Sequence, residues 1–84
     1  MRNMKVTVKK KETLSRLPIG TEYIKLQDAM KLMNLVSSGG EAKVRIQNGE
    51  VLVNGEVCLM RGKKLHPGDV FTFSGSSCRI EAQV

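Results

Sequence analysis

The chain has 84 residues, of which 40% are hydrophobic and 26% charged, and its formal net charge is +6. These values are typical of one small globular domain. No apolar run in the sequence approaches the roughly 20 residues that a membrane-spanning helix needs, so we expect none. The positive charge favours a polyanionic partner, most often RNA or DNA, with simple solubility as the alternative.

The first predicted element is a short edge strand in "MKVTVKK", where Val6 and Val8 alternate with polar residues. The N-terminal stretch is charged but lacks an apolar segment, so we expect no signal peptide and a cytoplasmic protein. The lysine run 9–11 is either a solvated edge that prevents aggregation or an extension of a nucleic-acid footprint. Pro18 and Gly20 then predict a loop.

A first helix is predicted from about Leu26 to Leu35, because apolar residues recur there at helical spacing. Its methionines are interpreted as core residues rather than as ligands, since methionine packs well into irregular gaps. Lys25 and Lys31 fall off the apolar stripe, so we expect both to point to solvent.

The second helix is predicted to begin with a capping box. In this motif Ser38 accepts a hydrogen bond from the Glu41 amide, and the Glu41 carboxylate reaches back to Ser38. Gly39 and Gly40 fill the first turn, although glycine is a poor helix former. Two explanations for the glycines are open: close packing of the first helix, and close approach of a ligand to free backbone amides. Gly49 predicts the helix end.

Four further strands are predicted in the C-terminal half, and the first two form a hairpin. Alternating valines around Asn54-Gly55 predict a hairpin with a type I′ turn that continues to Leu59. A basic loop and a Pro67-Gly68 turn follow, then a strand whose two phenylalanines we expect in the core, then a last strand. We expect the N-terminal and C-terminal strands to pair and close the sheet.

The residues that carry catalysis or bind metals form no evident constellation. Cys58 and Cys78 lack CxxC spacing and His66 stands alone at an expected surface position, so we expect no metal, no cofactor and no enzyme activity. The cysteines are interpreted as small hydrophobic residues in a reducing cytoplasm. A Cys58–Cys78 disulfide stays open as an alternative.

Two short helices are followed by a hairpin with the turn VNG and by a basic stretch that ends in PGD. The blocks "GEAKVRIQNGEVLVNGE" and "GKKLHPGDVFTF" resemble the RNA-binding domain of the ribosomal-protein-S-four type, also called the alpha-L motif. The resemblance covers about residues 24–73, and "SGGEAK" and the small size resemble stand-alone bacterial proteins of the YaaA/YbcJ type. It implies an α+β fold, with two short helices packed on a small, mostly antiparallel sheet. It also implies one RNA-binding domain over residues 1–84, with added terminal strands.

The resemblance implies that the helices and adjoining loops present a basic face to structured RNA. The expected RNA-binding residues that match positions of the family are Lys25, Ser37, Ser38, Gly39, Gly40, Lys43, Asn48, Arg61, Lys63 and Lys64. Gly49 matches the exit of the second helix. Lys31 and Arg45 are added to the expected site from this sequence.

The chain departs from the family pattern at three positions. Gly39 stands where many members have an arginine, which removes one expected phosphate ligand. Asp28 stands where a lysine is common, which reverses the sign of one contact. Arg45 occupies a position that is usually apolar, and it is either an added RNA contact or an i,i+4 partner of Glu41.

The expected mode of binding follows from the residue types. Lysine and arginine bind phosphates, and the amides of Gly39, Gly40 and Glu41 lie at a positive helix end. Because aromatic residues are scarce, we expect recognition by backbone and shape rather than by base stacking.

We therefore expect a non-catalytic, monomeric binder of structured RNA, such as ribosomal or transfer RNA, working alone or on a ribosome or another ribonucleoprotein. We expect it to use no membrane and no small-molecule substrate. The alternatives are a protein-interaction adaptor and a binder of double-stranded DNA. The glycines and the short length of the second helix argue against the DNA alternative.

Overall fold

The computed structural model describes residues 13–83. In chain order the elements are β1 (Thr13–Ile19), β2 (Ile24–Lys25), α1 (Leu26–Leu32), α2 (Gly39–Gln47), β3 (Val51–Val53), β4 (Glu56–Val57), β5 (Lys64–Leu65), β6 (Val70–Phe73) and β7 (Ser76–Ala82). One sheet has five strands in the order β1-β7-β6-β3-β4, and β2 pairs with β5 in a second, two-stranded sheet. Only β1 and β7 pair in parallel among these strands, so the predicted α+β fold with a mostly antiparallel sheet is confirmed.

One hydrophobic cluster holds both helices against the strands. Its largest fully buried members are Phe71, Leu26, Met30, Ile46, Leu65, Ile80 and Val51. The core prediction for the phenylalanines is confirmed, with Phe71 fully buried and Phe73 partly buried against the cluster. Cys58 and Cys78 are free thiols, so the disulfide alternative is not realised. Burial raises the pKa of the Cys78 thiol, as expected for a cysteine that serves as a small hydrophobic residue.

Strand β1 runs through the segment that the sequence predicted as a loop, and that prediction was wrong. Proline is tolerated on an edge strand whose missing N–H faces away from the neighbour. The Ile19 carbonyl accepts from the Gln83 amide at 2.9 Å on the β7 side, so the backbone of the adjacent Pro18 faces the free edge. The predicted edge strand, residues 4–10, and the lysine run 9–11 lie outside the described residues.

Helix α1 ends at Leu32, three residues earlier than the predicted end at Leu35. Asn34 takes a left-handed conformation with φ of 60° and stops the helix. The Asn34 amide donates to the Lys31 carbonyl and the Leu35 amide to the Met30 carbonyl, each at 3.0 Å. These two bonds are the Schellman pattern, in which asparagine can take the position that glycine usually occupies.

Helix α2 ends in the same way, and here the sequence prediction is confirmed. Gly49 has φ of 80°, its amide donates to the Ile46 carbonyl at 3.0 Å, and the Glu50 amide donates to the Arg45 carbonyl at 3.2 Å. Both helices are therefore short because a left-handed residue closes each of them with local hydrogen bonds.

The predicted type I′ hairpin turn is confirmed, since Asn54 and Gly55 have φ of 52° and 86°. The predicted continuation to Leu59 is wrong: β4 ends at Val57, and Leu59 is 57% exposed. The reason is tertiary. The chain leaves the sheet there because the backbone from Arg61 onward bonds to the start of α1.

The "VNG" and "PGD" motifs form one hydrogen-bonded unit. The Asn54 side-chain amide donates to the Asp69 carboxylate at 3.1 Å and accepts from the Val70 amide at 3.0 Å. The other Asp69 oxygen accepts from the His66 amide at 2.8 Å. The backbone bond to His66 is the largest cause that lowers the pKa of Asp69, helped by Asn54 and by the charges of His66 and Lys63. This unit holds both ends of the basic loop between the two motifs.

Candidate functional site

The loop before "PGD" is bonded to the first turn of α1. The Leu26 amide donates to the Lys63 carbonyl at 2.9 Å, and the Gln27 amide donates to the Arg61 carbonyl at 3.1 Å. Helix starts expose amides without intrahelical partners, and here backbone carbonyls of the loop satisfy two of them. The contact brings the loop's basic residues to the start of α1.

Pairing of β2 with β5 adds two more cations at the same place. Lys25 and Lys64 are register partners, directly before α1 and at the end of the loop. We define Lys25, Arg61, Lys63 and Lys64 as the basic cluster. All four are exposed, and within the described residues none of them forms an ion pair with a carboxylate.

At the start of α2, half of the predicted capping box is confirmed. The Ser38 hydroxyl accepts from the Glu41 amide at 3.2 Å. The second half is wrong, because the Glu41 carboxylate accepts from the amide and hydroxyl of Ser37, at 2.8 and 2.9 Å, rather than from Ser38. Ser38 is extended, with φ of −157° and ψ of 167°, and this brings the preceding residue over the carboxylate.

The bonds to Ser37 have an electrostatic consequence. Its backbone amide and then its hydroxyl lower the pKa of Glu41, with a smaller contribution from the charge of Arg45. Because Ser37 and Arg45 engage the carboxylate, Glu41 does not compete for the free amides in the first turn of α2.

The two glycines of α2 are not explained by packing. A Cβ added at Gly39 would meet nothing within 4 Å, and one at Gly40 would meet only the Ser38 hydroxyl at 3.8 Å. The expectation that α1 packs closely here is therefore not borne out. Among the described residues, neither glycine amide donates to a protein acceptor. The first turn of α2 is open to a ligand.

Lys43 and Arg45 lie on opposite flanks of α2. Ala42 and Ile46 are fully buried and define the inner face, as predicted. Residues two apart on a helix differ by about 200° in direction, so Lys43 and Arg45 cannot both face one flat surface. Lys43 is exposed beside the glycines, whereas Arg45 lies on the flank that carries Glu41.

Three of the predicted site residues are engaged by carboxylates. Arg45 contacts Glu41 at 3.8 Å and Glu50 at 3.5 Å, so the ion-pair alternative for Arg45 is realised. The Asn48 side-chain amide donates to Glu50 at 3.3 Å. Lys31 pairs with Asp28 at 3.6 Å. These residues are weaker candidates than the basic cluster and the open start of α2.

One aromatic residue that the sequence pattern did not mark as part of the site lies beside the basic cluster. Half-buried Tyr23 has the Lys64 ammonium 4.9 Å from its ring centroid, and the His66 ring centroid lies 6.0 Å away. The prediction that His66 is a surface residue is confirmed by its 58% exposed side chain. A sequence signal did exist, since Tyr23 is the only tyrosine and lies two residues before Lys25.

Two further observations concern the described part of the chain. Across residues 13–83, no group of three or more His, Cys, Asp or Glu side chains is arranged to hold a metal ion. Neither helix in that range has the length and apolar character that crossing a membrane requires.

Comparisons with known proteins agree with one another. The family model described as S4 domain matches residues 17–81. The chain is 44% identical over 59 residues to RlbA of Bacillus subtilis (strain 168), named a probable ribosome maturation protein, covering 70% of this chain and 83% of that one. It is 33% identical over 60 residues to YbcJ of Escherichia coli (strain K12), named as a candidate RNA-binding protein, covering 71% and 86%.

A solved structure extends the comparison. The solution structure of YbcJ from E. coli superposes with a TM-score of 0.61 and 26% sequence identity, covering 95% of this chain and all of that one. That structure was described as revealing an alpha-L motif involved in RNA binding.

Proposed function

The chain belongs to the S4 domain family, and from this premise we propose that it is a non-catalytic protein that binds structured RNA. The names of YbcJ, as a candidate RNA-binding protein, and of RlbA, as a probable ribosome maturation protein, support this function. The net charge of +6 provides the electrostatic attraction that phosphate binding needs.

The observation that carries the proposal is the bonding of the basic loop to the start of α1. It gathers the basic cluster, which carboxylates within residues 13–83 do not neutralise. Arginine binds phosphate with two parallel hydrogen bonds, and lysine binds it as a point charge. Because the loop is held by Asp69 at one end and by α1 along its length, these cations are positioned before RNA arrives.

The start of α2 forms the second contact of the proposed site. The amides of Gly39 and Gly40 and the Ser38 hydroxyl offer donors, and Lys43 offers one cation, at a positive helix end. The Ser37 hydroxyl already donates to Glu41 and instead holds that carboxylate away from the amides. If these groups and the basic cluster contact about four to six phosphates, a log–log plot of affinity against salt has a slope of roughly −3 to −5.

The ligand we propose is ribosomal RNA, with transfer RNA as the other structured class. RlbA's name, a probable ribosome maturation protein, favours the ribosomal class. We further propose that residues 1–84 act in the cytoplasm as one RNA-binding domain and as a monomer, alone or on a ribosome or other ribonucleoprotein.

A second candidate function is that of a protein-interaction adaptor. Val57, Leu59 and Met60 are 58%, 57% and 65% exposed, and they lie in the segment 57–60, directly before the basic loop. Phosphate binding has no use for such apolar side chains, whereas protein interfaces often do. In that function the cations of α2 would not matter.

The test is a titration of the purified protein with a structured ribosomal RNA fragment, duplex DNA and poly-U, each at two salt concentrations. We expect tight, salt-dependent binding to the structured RNA alone. Equal weak binding to all three nucleic acids would show that the positive charge attracts any polyanion without selecting structured RNA, and this would overturn the proposal.

Charge reversal then tests the proposed face. Lys43→Glu with Lys63→Glu should abolish RNA binding while circular dichroism shows an intact fold. The matched control is Arg16→Glu with Arg79→Glu, which changes the net charge equally on the neighbouring strands β1 and β7. If the control variant loses as much affinity as the test variant, the proposed face is wrong. Unchanged affinity in the test variant would favour the adaptor function.

A further inference from the structure

A cleft of about 340 Å³ lies at the start of α1, directly beside the basic cluster. It is lined by Thr21, Tyr23, Ile24, Lys25 and Asp28. Its size is near the lower end of the roughly 300–1,000 Å³ that is typical of small-ligand sites. The cleft thus combines an aromatic ring, a cation and a carboxylate, which is an unusual set for a site that binds only phosphates.

The ring of Tyr23 is held in place. Lys64 lies over it at 4.9 Å, the His66 ring packs against it at an angle of 51°, and neither residue lines the cleft. The Thr21 hydroxyl donates to the Tyr23 carbonyl at 2.8 Å and fixes the local backbone. An aromatic ring that is already ordered loses little entropy when a base stacks on it.

The two charged side chains in the cleft suit different parts of a nucleotide. Lys25 is an exposed cation for a phosphate. Asp28 is 44% exposed, and Lys31 contacts its Oδ1 at 3.6 Å. A carboxylate repels phosphate but accepts hydrogen bonds from N–H groups. Guanine carries two such donors side by side, N1–H and the N2 amino group, which match the two oxygens of a carboxylate.

We propose that this cleft binds one unpaired guanine of the RNA, stacked against Tyr23, with its N1–H and N2 amino group on Asp28 and its phosphate on Lys25. The inference rests on the proposed RNA-binding function and adds a base-reading contact to it. It also gives a role to Asp28, which stands where the resemblance leads one to expect lysine. Recognition would then combine backbone contacts with one extruded base.

The experiment uses the full chain and RNA hairpins that differ at one position. One hairpin carries a bulged guanosine, the others carry a bulged uridine, an abasic bulge or no bulge, and free guanosine monophosphate is a separate ligand. Because Tyr23 is the only tyrosine, isotope-labelled tyrosine produces one set of ring signals in the NMR spectrum. Affinities are measured in parallel by fluorescence anisotropy.

We expect the guanosine bulge to shift the Tyr23 ring signals and to bind about 5- to 150-fold more tightly than the abasic bulge, the range typical of one stacked base. Tyr23→Leu should remove this preference and leave affinity for the unbulged hairpin unchanged, whereas Tyr23→Phe should keep it. Asp28→Asn should reduce the preference for guanosine over uridine.

Equal binding of all four hairpins without a shift of the Tyr23 signals would overturn the base site and leave RNA binding intact. Failure to bind any hairpin would instead overturn the proposed function, and the base site with it. Tighter binding of guanosine monophosphate than of the guanosine bulge would overturn the assignment to RNA. The comparison of hairpins uses the unmodified protein, so it does not depend on the folding of any variant.

Discussion

The two helices begin in different ways. At the start of α1, loop carbonyls of Lys63 and Arg61 accept from the first amides, and Lys25 provides no side-chain cap. At the start of α2, Ser38 caps one amide and Gly39 and Gly40 leave the others uncovered. The same local requirement, partners for free amides, is met by a distant loop in one case and by a neighbouring side chain in the other. The start of α1 therefore positions cations, and the start of α2 presents backbone donors.

The largest expected effect is on the salt dependence of RNA binding, when charges are removed separately at the start of α1 and at the start of α2. Arg61→Gln with Lys63→Gln should make the slope of log affinity against log salt concentration less negative by about 2, because each lost phosphate contact accounts for roughly 1. Lys43→Gln should make the same slope less negative by about 1. Anisotropy titrations over a range of salt concentrations measure both. If Lys43→Gln has the larger effect, the start of α2 rather than the basic cluster dominates binding.

The next prediction concerns the anchor of the basic loop. Asp69→Ala removes the acceptor for the His66 amide and the Asn54 side chain, which should lower the free energy of unfolding by about 1–3 kcal/mol. Urea denaturation at neutral pH measures this, with Glu56→Ala as the matched control at an exposed position on β4. An equal loss in the control would show that Asp69 has no special anchoring role.

The same carboxylate gives a pH dependence with a definite sign. The pKa of Asp69 is lowered in the folded state, first by the His66 amide, so its stabilisation is complete above the unfolded carboxyl's pKa of about 3.9. It is lost as the pH falls from there through the lower folded-state pKa. The stability difference between wild type and Asp69→Ala should therefore shrink in acid. A gap that stays constant from neutral pH to about pH 2 would contradict this assignment.

A smaller effect tests the open start of α2. Gly40→Ala should raise the free energy of unfolding by up to about 1 kcal/mol, since alanine is the better helix former and the added Cβ has room. It should also weaken RNA binding, because the methyl group stands between a phosphate and the amides. Gln47→Ala, at an exposed position near the other end of the same helix, is the control. Undiminished affinity in Gly40→Ala would remove this helix start from the proposed site.

The smallest effect is expected on the other flank of α2. Arg45→Gln breaks exposed ion pairs with Glu41 and Glu50, which should change stability by less than about 1 kcal/mol. The salt dependence of RNA binding should stay as in wild type. A slope that flattens as much as in Lys43→Gln would show that Arg45 contacts RNA after all.

Sequence reasoning succeeded where the signal is local. The left-handed residues Asn54, Gly55 and Gly49, the Ser38 cap and the buried Phe71 were all predicted from neighbouring residues alone. Sequence-based prediction failed where local signals conflict, or where the local structure depends on contacts with a distant segment of the chain. The Pro18 segment became an edge strand because β7 offers its parallel partner, information that lies some sixty residues away.

The candidate site divides in the same way. The sequence by itself determined the fold family, the net charge and the residue types that can bind phosphate, because motif spacing and charge are properties of the chain. Only the tertiary structure decided which cations lie together, since the loop reaches α1 through backbone bonds that no pattern encodes. It also decided which are engaged by carboxylates: Arg45 by Glu41 and Glu50, but not Lys43 within the described residues. The net charge follows from the residue types alone, whereas the positions of the charged side chains relative to one another depend on tertiary contacts.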